Sequence, residues 1–168
     1  MNTTSEHAIR TILVGQSGGP TAAINASLAG VVRAAHTQGL RVLGMRNGIQ
    51  GFLDGKVVDL TEVLGLTASE SESSNQAPTN PGEKNLQLLR KTPSSWLGSC
   101  RFKLPDLGTE LADISEPATI SPIYQQIDAQ LKKYQVDAVL YIGGNDSMDT
   151  TDKLSRYFAQ IESHVRVV

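Results

Sequence analysis

The stretch Ala138-Val139-Leu140-Tyr141-Ile142-Gly143-Gly144-Asn145-Asp146-Ser147 decides the fold. Its first five residues form the longest unbroken apolar run in the chain, and with Asp137 they read as a buried strand. Two glycines then turn the chain. Ser147 to Ile161 follows as a helix, with Met148, Leu154, Phe158 and Ile161 expected on its inward face. Upstream, Ile120, Ile123, Tyr124, Ile127, Leu131 and Tyr134 make one apolar helical stripe. Downstream, Arg166-Val167-Val168 begins another strand. Helices alternating with buried strands in this way call for an α/β fold around a parallel sheet.

The N-terminal third repeats the pattern. Residues 10–14 read as a buried strand, broken by Gly15-Gln16-Ser17-Gly18-Gly19-Pro20-Thr21. Thr21 to Gln38 reads as a helix, because Ile24, Leu28, Val31, Val32 and Ala35 fall at helical spacing and Gly39 closes it. Arg41 to Met45 is the next strand. Strand, helix and strand within about 35 residues make a βαβ unit, whose strands run parallel. Asn47 to Leu64 is glycine-rich, with a weak strand at 56–59 and a helical turn after Thr61. Residues 67–82 are small and polar and read as an exposed loop inserted into the fold. Glu83 to Lys91 is a short helix carrying Leu86, Leu88 and Leu89.

Composition narrows the function classes. The chain has 168 residues, one ordinary domain's worth, and 39% of them are apolar. A membrane-spanning helix needs roughly 20 consecutive apolar residues, and the N-terminus lacks the basic start and apolar stretch of a secretory signal. A net charge of -2 with both signs dispersed gives no basic face for nucleic acid. Aromatics, at 5%, are too few for base-stacking platforms. The single cysteine, Cys100, allows no internal disulfide and points to a reducing cytoplasm.

Both glycine turns follow a buried strand and open a helix. In an open parallel sheet, ligands bind beyond the carboxyl ends of the strands. Unpaired N–H groups and the helix dipole favour anions there, and glycine lets backbone approach a phosphate closely. Two such turns on one sheet edge would make a phosphate cradle. Neither turn contains the Gly-Lys-Ser/Thr of a P-loop or the Gly-x-Gly-x-x-Gly of dinucleotide sites. Asp146 would repel phosphate unless a cation intervened, and Asn145 and Asp146 offer the oxygen ligands magnesium prefers. The competing reading makes Asp146 or Ser147 a simple helix N-cap. Arg101, in Trp96-Leu97-Gly98-Ser99-Cys100-Arg101-Phe102, carries a guanidinium whose fork suits phosphate oxygens; as a lone arginine it is equally a surface charge. His7, His36 and His164 have no partner motif.

Three motifs in order resemble the phosphofructokinase family: Ser17-Gly18-Gly19-Pro20-Thr21 with Asn25 on the following helix, Gly98-Ser99-Cys100-Arg101-Phe102, and Gly143-Gly144-Asn145-Asp146-Ser147. The resemblance covers nearly the whole chain apart from the polar loop. It implies a three-layer α/β/α, Rossmann-like domain that binds the phosphoryl donor. It implies phosphoryl transfer to the first-carbon hydroxyl of fructose 6-phosphate, with Mg2+. It sets Gly18, Gly19, Arg101, Phe102, Gly144, Asp146 and Ser147 around the donor phosphates, with Arg101 and Asp146 as catalytic-site residues. Asn145 stands where the family has a magnesium-associated aspartate, and the neutral amide is a weaker ligand. Asp146 stands where ATP-using members have glycine, an exchange that goes with pyrophosphate as donor. Ile49 falls near a position often tyrosine in ATP users.

The family's general base lies in a Thr-x-Asp-x-Asp segment that residues 1–168 do not contain. The expectation is therefore a truncated donor-binding half without the sugar-phosphate domain, inactive alone, from a homo-oligomeric enzyme. The alternatives are an ATP-dependent phosphofructokinase and a non-catalytic phosphate-binding module. Relatives of NAD kinase or diacylglycerol kinase share a similar glycine turn, but Gly-Ser-Cys-Arg-Phe and the Ser-Gly-Gly turn argue against them.

Overall fold

A computed structural model describes residues 8–66, 81–107 and 121–168. The chain runs β1 (Thr11–Gln16), α1 (Ala22–Thr37), β2 (Arg41–Met45), α2 (Gly48–Leu53), β3 (Val57–Asp59), α3 (Leu60–Val63), α4 (Pro81–Lys91), α5 (Pro122–Tyr134), β4 (Ala138–Ile142), α6 (Asn145–Gln160) and β5 (Arg166–Val167). The strands form one sheet in the order β3-β2-β1-β4-β5. β1 pairs in parallel with β2 and β4, and β4 in parallel with β5; only β3 is antiparallel, at the edge.

Side-chain alternation along the strands splits the interior in two. Leu13, Leu43, Met45, Val139 and Tyr141 face one layer, where they meet Phe52 of α2, Tyr124, Ile127 and Leu131 of α5, and Leu154, Tyr157 and Phe158 of α6. Val14 and Val42 face the other, with Leu28, Val32 and Ala35 of α1, Leu60 of α3, and Leu86 and Leu89 of α4. Helices on both faces of a mostly parallel sheet make the expected three-layer α/β/α fold. Each fully buried leucine here contributes roughly 1.5–3 kcal/mol of transfer free energy.

Local signals start the elements. The Thr21 hydroxyl accepts from Ile24 N at 3.3 Å, capping α1. Pro122 opens α5, where its missing N–H costs nothing. The Asp137 carboxylate accepts from the N–H groups of Arg10 and Thr11 at 2.8 and 2.9 Å, tying the start of β1 to that of β4.

Several details differ from the sequence reading. The polar segment ends earlier than residue 82, because Pro81 and Gly82 already belong to α4; residues 67–80 lie outside the described residues. Met148 is 69% exposed, not inward: the buried face of α6 runs through Ser147, Thr150, Leu154, Tyr157 and Phe158. Leu88 likewise faces out, leaving Leu86 and Leu89 to pack α4. α2 was not legible as a helix.

Candidate functional site

α1 carries the chain from β1 to β2 on one side, while β4 pairs on β1's other side. The connections therefore diverge between β1 and β4, the switch point at which open α/β sheets bind ligands in a crevice beyond the strands' carboxyl ends. Both glycine turns lie at this switch point. The N–H of Ser17 donates to the carbonyl of Ile142 at 2.9 Å, stitching the two turns together.

The glycines do different jobs. Gly18 has φ +84°, and a Cβ there would stand 4.0 Å from the Gly144 nitrogen. A Cβ on Gly143 would collide with the Ser147 hydroxyl and approach the Ser17 carbonyl oxygen at 2.8 Å. Gly143 is thus required by packing. Gly19 and Gly144 are the open ones: a Cβ on either meets nothing within 4 Å among the described residues. They line the crevice with bare backbone.

Gly144 is the N-cap of α6 and supplies no side-chain cap. Neither Asp146 nor Ser147 therefore caps the helix in the way that would have explained them. Asn145 and Asp146 sit exposed in the first turn, while the N–H groups of Ser147 and Met148 donate back to the Gly144 carbonyl at 2.9 and 3.1 Å. Ser147 is buried, and among the described residues its hydroxyl has no hydrogen-bond partner. The carboxylate of Asp146 lies 3.4 Å from Lys103 Nζ.

Lys103 belongs to the segment that carries Arg101. This segment is held from below by a buried amide pair. Gln16 Nε2 donates to Asn25 Oδ1 at 3.2 Å, and Gln16 Oε1 accepts from Leu97 N at 2.8 Å. Asn25 Nδ2 donates to Thr92 O, and its Oδ1 accepts from Trp96 N, each at 2.9 Å. Both amides are fully buried. The segment then crosses the strand ends. Asn47 N donates to Leu97 O at 2.8 Å, beyond β2. Cys100 lies against the Tyr141 hydroxyl of β4, which also meets Ser17 and accepts from Ile49 N at 3.4 Å. Burial first, then the neighbouring Cys100, pushes the Tyr141 phenol up to about 12. Along residues 100–104 burial alternates: Cys100, Phe102 and Leu104 turn inward, while Arg101 and Lys103 stay exposed. Both cations therefore project from one side of an extended segment, and Lys103 reaches Asp146 in the first turn of α6.

Of the sequence-predicted residues, Gly18 approaches Gly144 next to Asn145, Asp146 and Ser147, and Arg101 lies two residues before Lys103, which reaches Asp146. Phe102 contributes differently, packing partly into the core. Ile49 is 1% exposed, a core residue under α2 rather than a wall of the crevice. His164 lies 3.6 Å from Asp137, whose carboxylate binds the start of β1 at the opposite sheet edge. Among the described residues, no group of three or more His, Cys, Asp and Glu could hold a metal, and no helix is long and apolar enough to cross a membrane. Sequence reasoning missed Lys103, Lys153 and the Gln16–Asn25 pair. A polar residue on the buried stripe of α1 was the available signal for Asn25.

Helices on both faces of a mostly parallel sheet, with two glycine turns at its switch point, define an α/β domain. Residues 11–167 match the phosphofructokinase family, and the chain belongs to it. It is 36% identical over 145 residues to the pyrophosphate–fructose 6-phosphate 1-phosphotransferase of Xanthomonas campestris, covering 86% of this chain and 28% of that protein. It is 32% identical over 142 residues to the ATP-dependent 6-phosphofructokinase of Actinobacillus pleuropneumoniae, covering 83% of this chain and 32% of the relative. The crystal structure of a pyrophosphate-dependent phosphofructokinase from Marinobacter aquaeolei superposes with a TM-score of 0.66 at 28% identity, over 95% of this chain and 32% of that one. The chain thus spans about a third of the length of the relatives it matches.

Proposed function

We propose that this chain forms the donor side of a phosphofructokinase that moves a phosphoryl group from pyrophosphate to the first-carbon hydroxyl of fructose 6-phosphate. The carrying observation is Asp146. It stands exposed in the first turn of α6, paired with Lys103 and free of any capping task. At a helix N-terminus built for anions, a side chain here takes up room a nucleotide would need. Its charge opposes a third phosphate. Pyrophosphate, with two phosphates and no nucleoside, needs none of that room. The pyrophosphate-using relatives favour the same donor.

In this reading the backbone of Gly18, Gly19 and Gly144 cradles the donor, and the Ser147 hydroxyl finds its missing partner there. Arg101 neutralises charge that develops on the moving phosphoryl group, the work of cationic clamps in such transfers. Magnesium, when bound, would screen the donor's charge. Asn145 and Asp146 offer it oxygens, and magnesium is commonly held by one or two carboxylates plus substrate phosphates rather than by an all-protein cage. The sugar phosphate and general base belong to residues outside 1–168, and this chain alone does not turn over fructose 6-phosphate. The parent enzyme works as a homo-oligomer in the cytoplasm, in keeping with a single unpaired cysteine.

The test is donor binding by the 168-residue chain with magnesium, followed by calorimetry. Pyrophosphate should bind more tightly than ATP, and Asp146→Gly should narrow or reverse that preference. Tighter ATP binding by the unaltered chain would reject pyrophosphate as donor. The ATP-dependent relatives keep ATP as the second reading.

A further inference from the structure

Lys153 lies on α6, two turns below the crevice, and reaches no part of the glycine turns. Its ammonium has three partners. It donates to the carbonyl oxygen of Leu104 at 3.0 Å. It pairs with Asp106 at 2.8 Å and with Asp149, one turn earlier on the same helix, at 2.9 Å. The side chain is 15% exposed, unlike the surface lysines Lys103 and Lys132. The two carboxylates raise its pKa, keeping it charged.

These contacts leave the ammonium no donor for a ligand. They are directed instead at the segment that carries Arg101 and Lys103. Leu104 is buried, and from the other side the Tyr124 hydroxyl donates to Pro105 O at 2.7 Å. The segment has no secondary structure of its own between Gly98 and Leu107. Its upstream end is held by Gln16 and Asn25. Its downstream end is held by Lys153 and Tyr124. An extended segment pinned at both ends has little freedom left in its middle, where Arg101 sits.

We infer that Lys153 is a positioning residue: its grip on Leu104 and Asp106 sets where Arg101 and Lys103 stand over the first turn of α6. The same helix then provides both the anion-binding N-terminus and the anchor for the cations above it. The distance between them is set within one rigid element. This inference rests on the reading of the crevice as a pyrophosphate site.

The 168-residue chain is compared with Lys153→Met, Lys153→Arg, Arg101→Ala and the Lys153→Met/Arg101→Ala double variant. Affinity for inorganic pyrophosphate with magnesium is measured by calorimetry, and amide shifts of residues 101–104 and Asp106 by NMR without ligand. Lys153→Met should move those shifts and weaken pyrophosphate binding about five- to tenfold, with no further loss when Arg101 is already alanine. Lys153→Arg, which keeps charge and donors, should recover most of the affinity. Unmoved shifts in Lys153→Met overturn the inference whatever the ligand does. So does an equal loss of affinity with and without Arg101, since Lys153 would then not act through it. Loss of pyrophosphate binding by no variant because the parent chain binds none would instead reject the reading of the site, while the shifts still judge the clamp. If Lys153→Met fails the circular-dichroism check for folding, Asp106→Asn and Asp149→Asn replace it, with smaller changes in the same direction.

Discussion

The N–H of Ser17 donates to the carbonyl of Ile142 across 2.9 Å. One bond therefore joins the residue after β1 to the last residue of β4. The two glycine turns form a single surface because of it, and a change in one turn is felt in the other.

Gly143 and Gly19 should respond in opposite ways to alanine. Gly143→Ala drives a methyl into the Ser147 hydroxyl and the Ser17 carbonyl, and should cost about 1–3 kcal/mol in stability. Gly19→Ala meets open space, so stability should stay within about 0.5 kcal/mol while pyrophosphate affinity falls. Urea denaturation and calorimetry read the two effects separately. An equal stability loss at both sites would contradict the roles assigned to them.

Arg101→Ala should leave the unfolding midpoint almost unchanged, since the side chain is exposed. Pyrophosphate binding should fall about tenfold, the scale of a charge-assisted contact. Arg101→Lys should recover only part, because an ammonium lacks the planar fork. Full recovery by lysine would mean that charge alone is used.

Asn25→Ala removes a partner from Thr92 O, Trp96 N and Gln16 Nε2 at once, while Gln16 Nε2 keeps Ile24 O. Leaving these partly buried groups short of a partner should cost about 1–3 kcal/mol. Chemical denaturation checks the stability. NMR should also show the amides of 96–101 shifting, since this amide holds the segment leading to Arg101.

Tyr141 makes stability sensitive to alkali. Its phenol titrates at about 12 in the folded chain against 10.0 ordinarily. Below pH 10 both states hold the proton. Between the two values the unfolded chain releases it and the folded chain does not, so stability falls as pH rises. Tyr124 pulls in the same direction, raised to about 12 by burial. Tyr141→Phe should flatten the alkaline fall by up to one proton's worth of slope. An unchanged slope would mean the hydroxyl is better hydrated than its surroundings suggest.

The parts of the fold legible in sequence are those whose signal is local. β1, α1, β2, β4 and α6 each announce themselves by an apolar run or stripe, and β1, α1 and β4 also by the glycines that follow them. α2 does not. It is six residues long and starts from Asn47 in the left-handed region. Packing shapes it: a side chain at Gly51 would strike the Arg46 carbonyl, and Ile49 N donates to the hydroxyl of Tyr141 on β4. Met148 was misplaced because hydrophobicity was taken as a guide to direction in a turn where Ser147, over Gly143, takes the inward position. The glycines and Arg101 of the site could be read as motifs. Lys153 could not, because its partner Leu104 is 49 residues away and nothing near either residue points to the other.

The order β3-β2-β1-β4-β5 also sets a schedule for synthesis. β1 finds β2 soon after both leave the ribosome. Its other edge must wait for β4, whose first contacts with β1 join residues 126 apart in sequence. At translation rates of roughly 5–20 residues per second, that edge stays open for about 6–25 s. During that time Leu13 and Val14 lie in an unpaired strand edge, a template for pairing with another nascent chain. The β1–β4 seam, where the two glycine turns meet, thus closes long after the β1–β2 pair, and is a point at which a chaperone would do much for this protein.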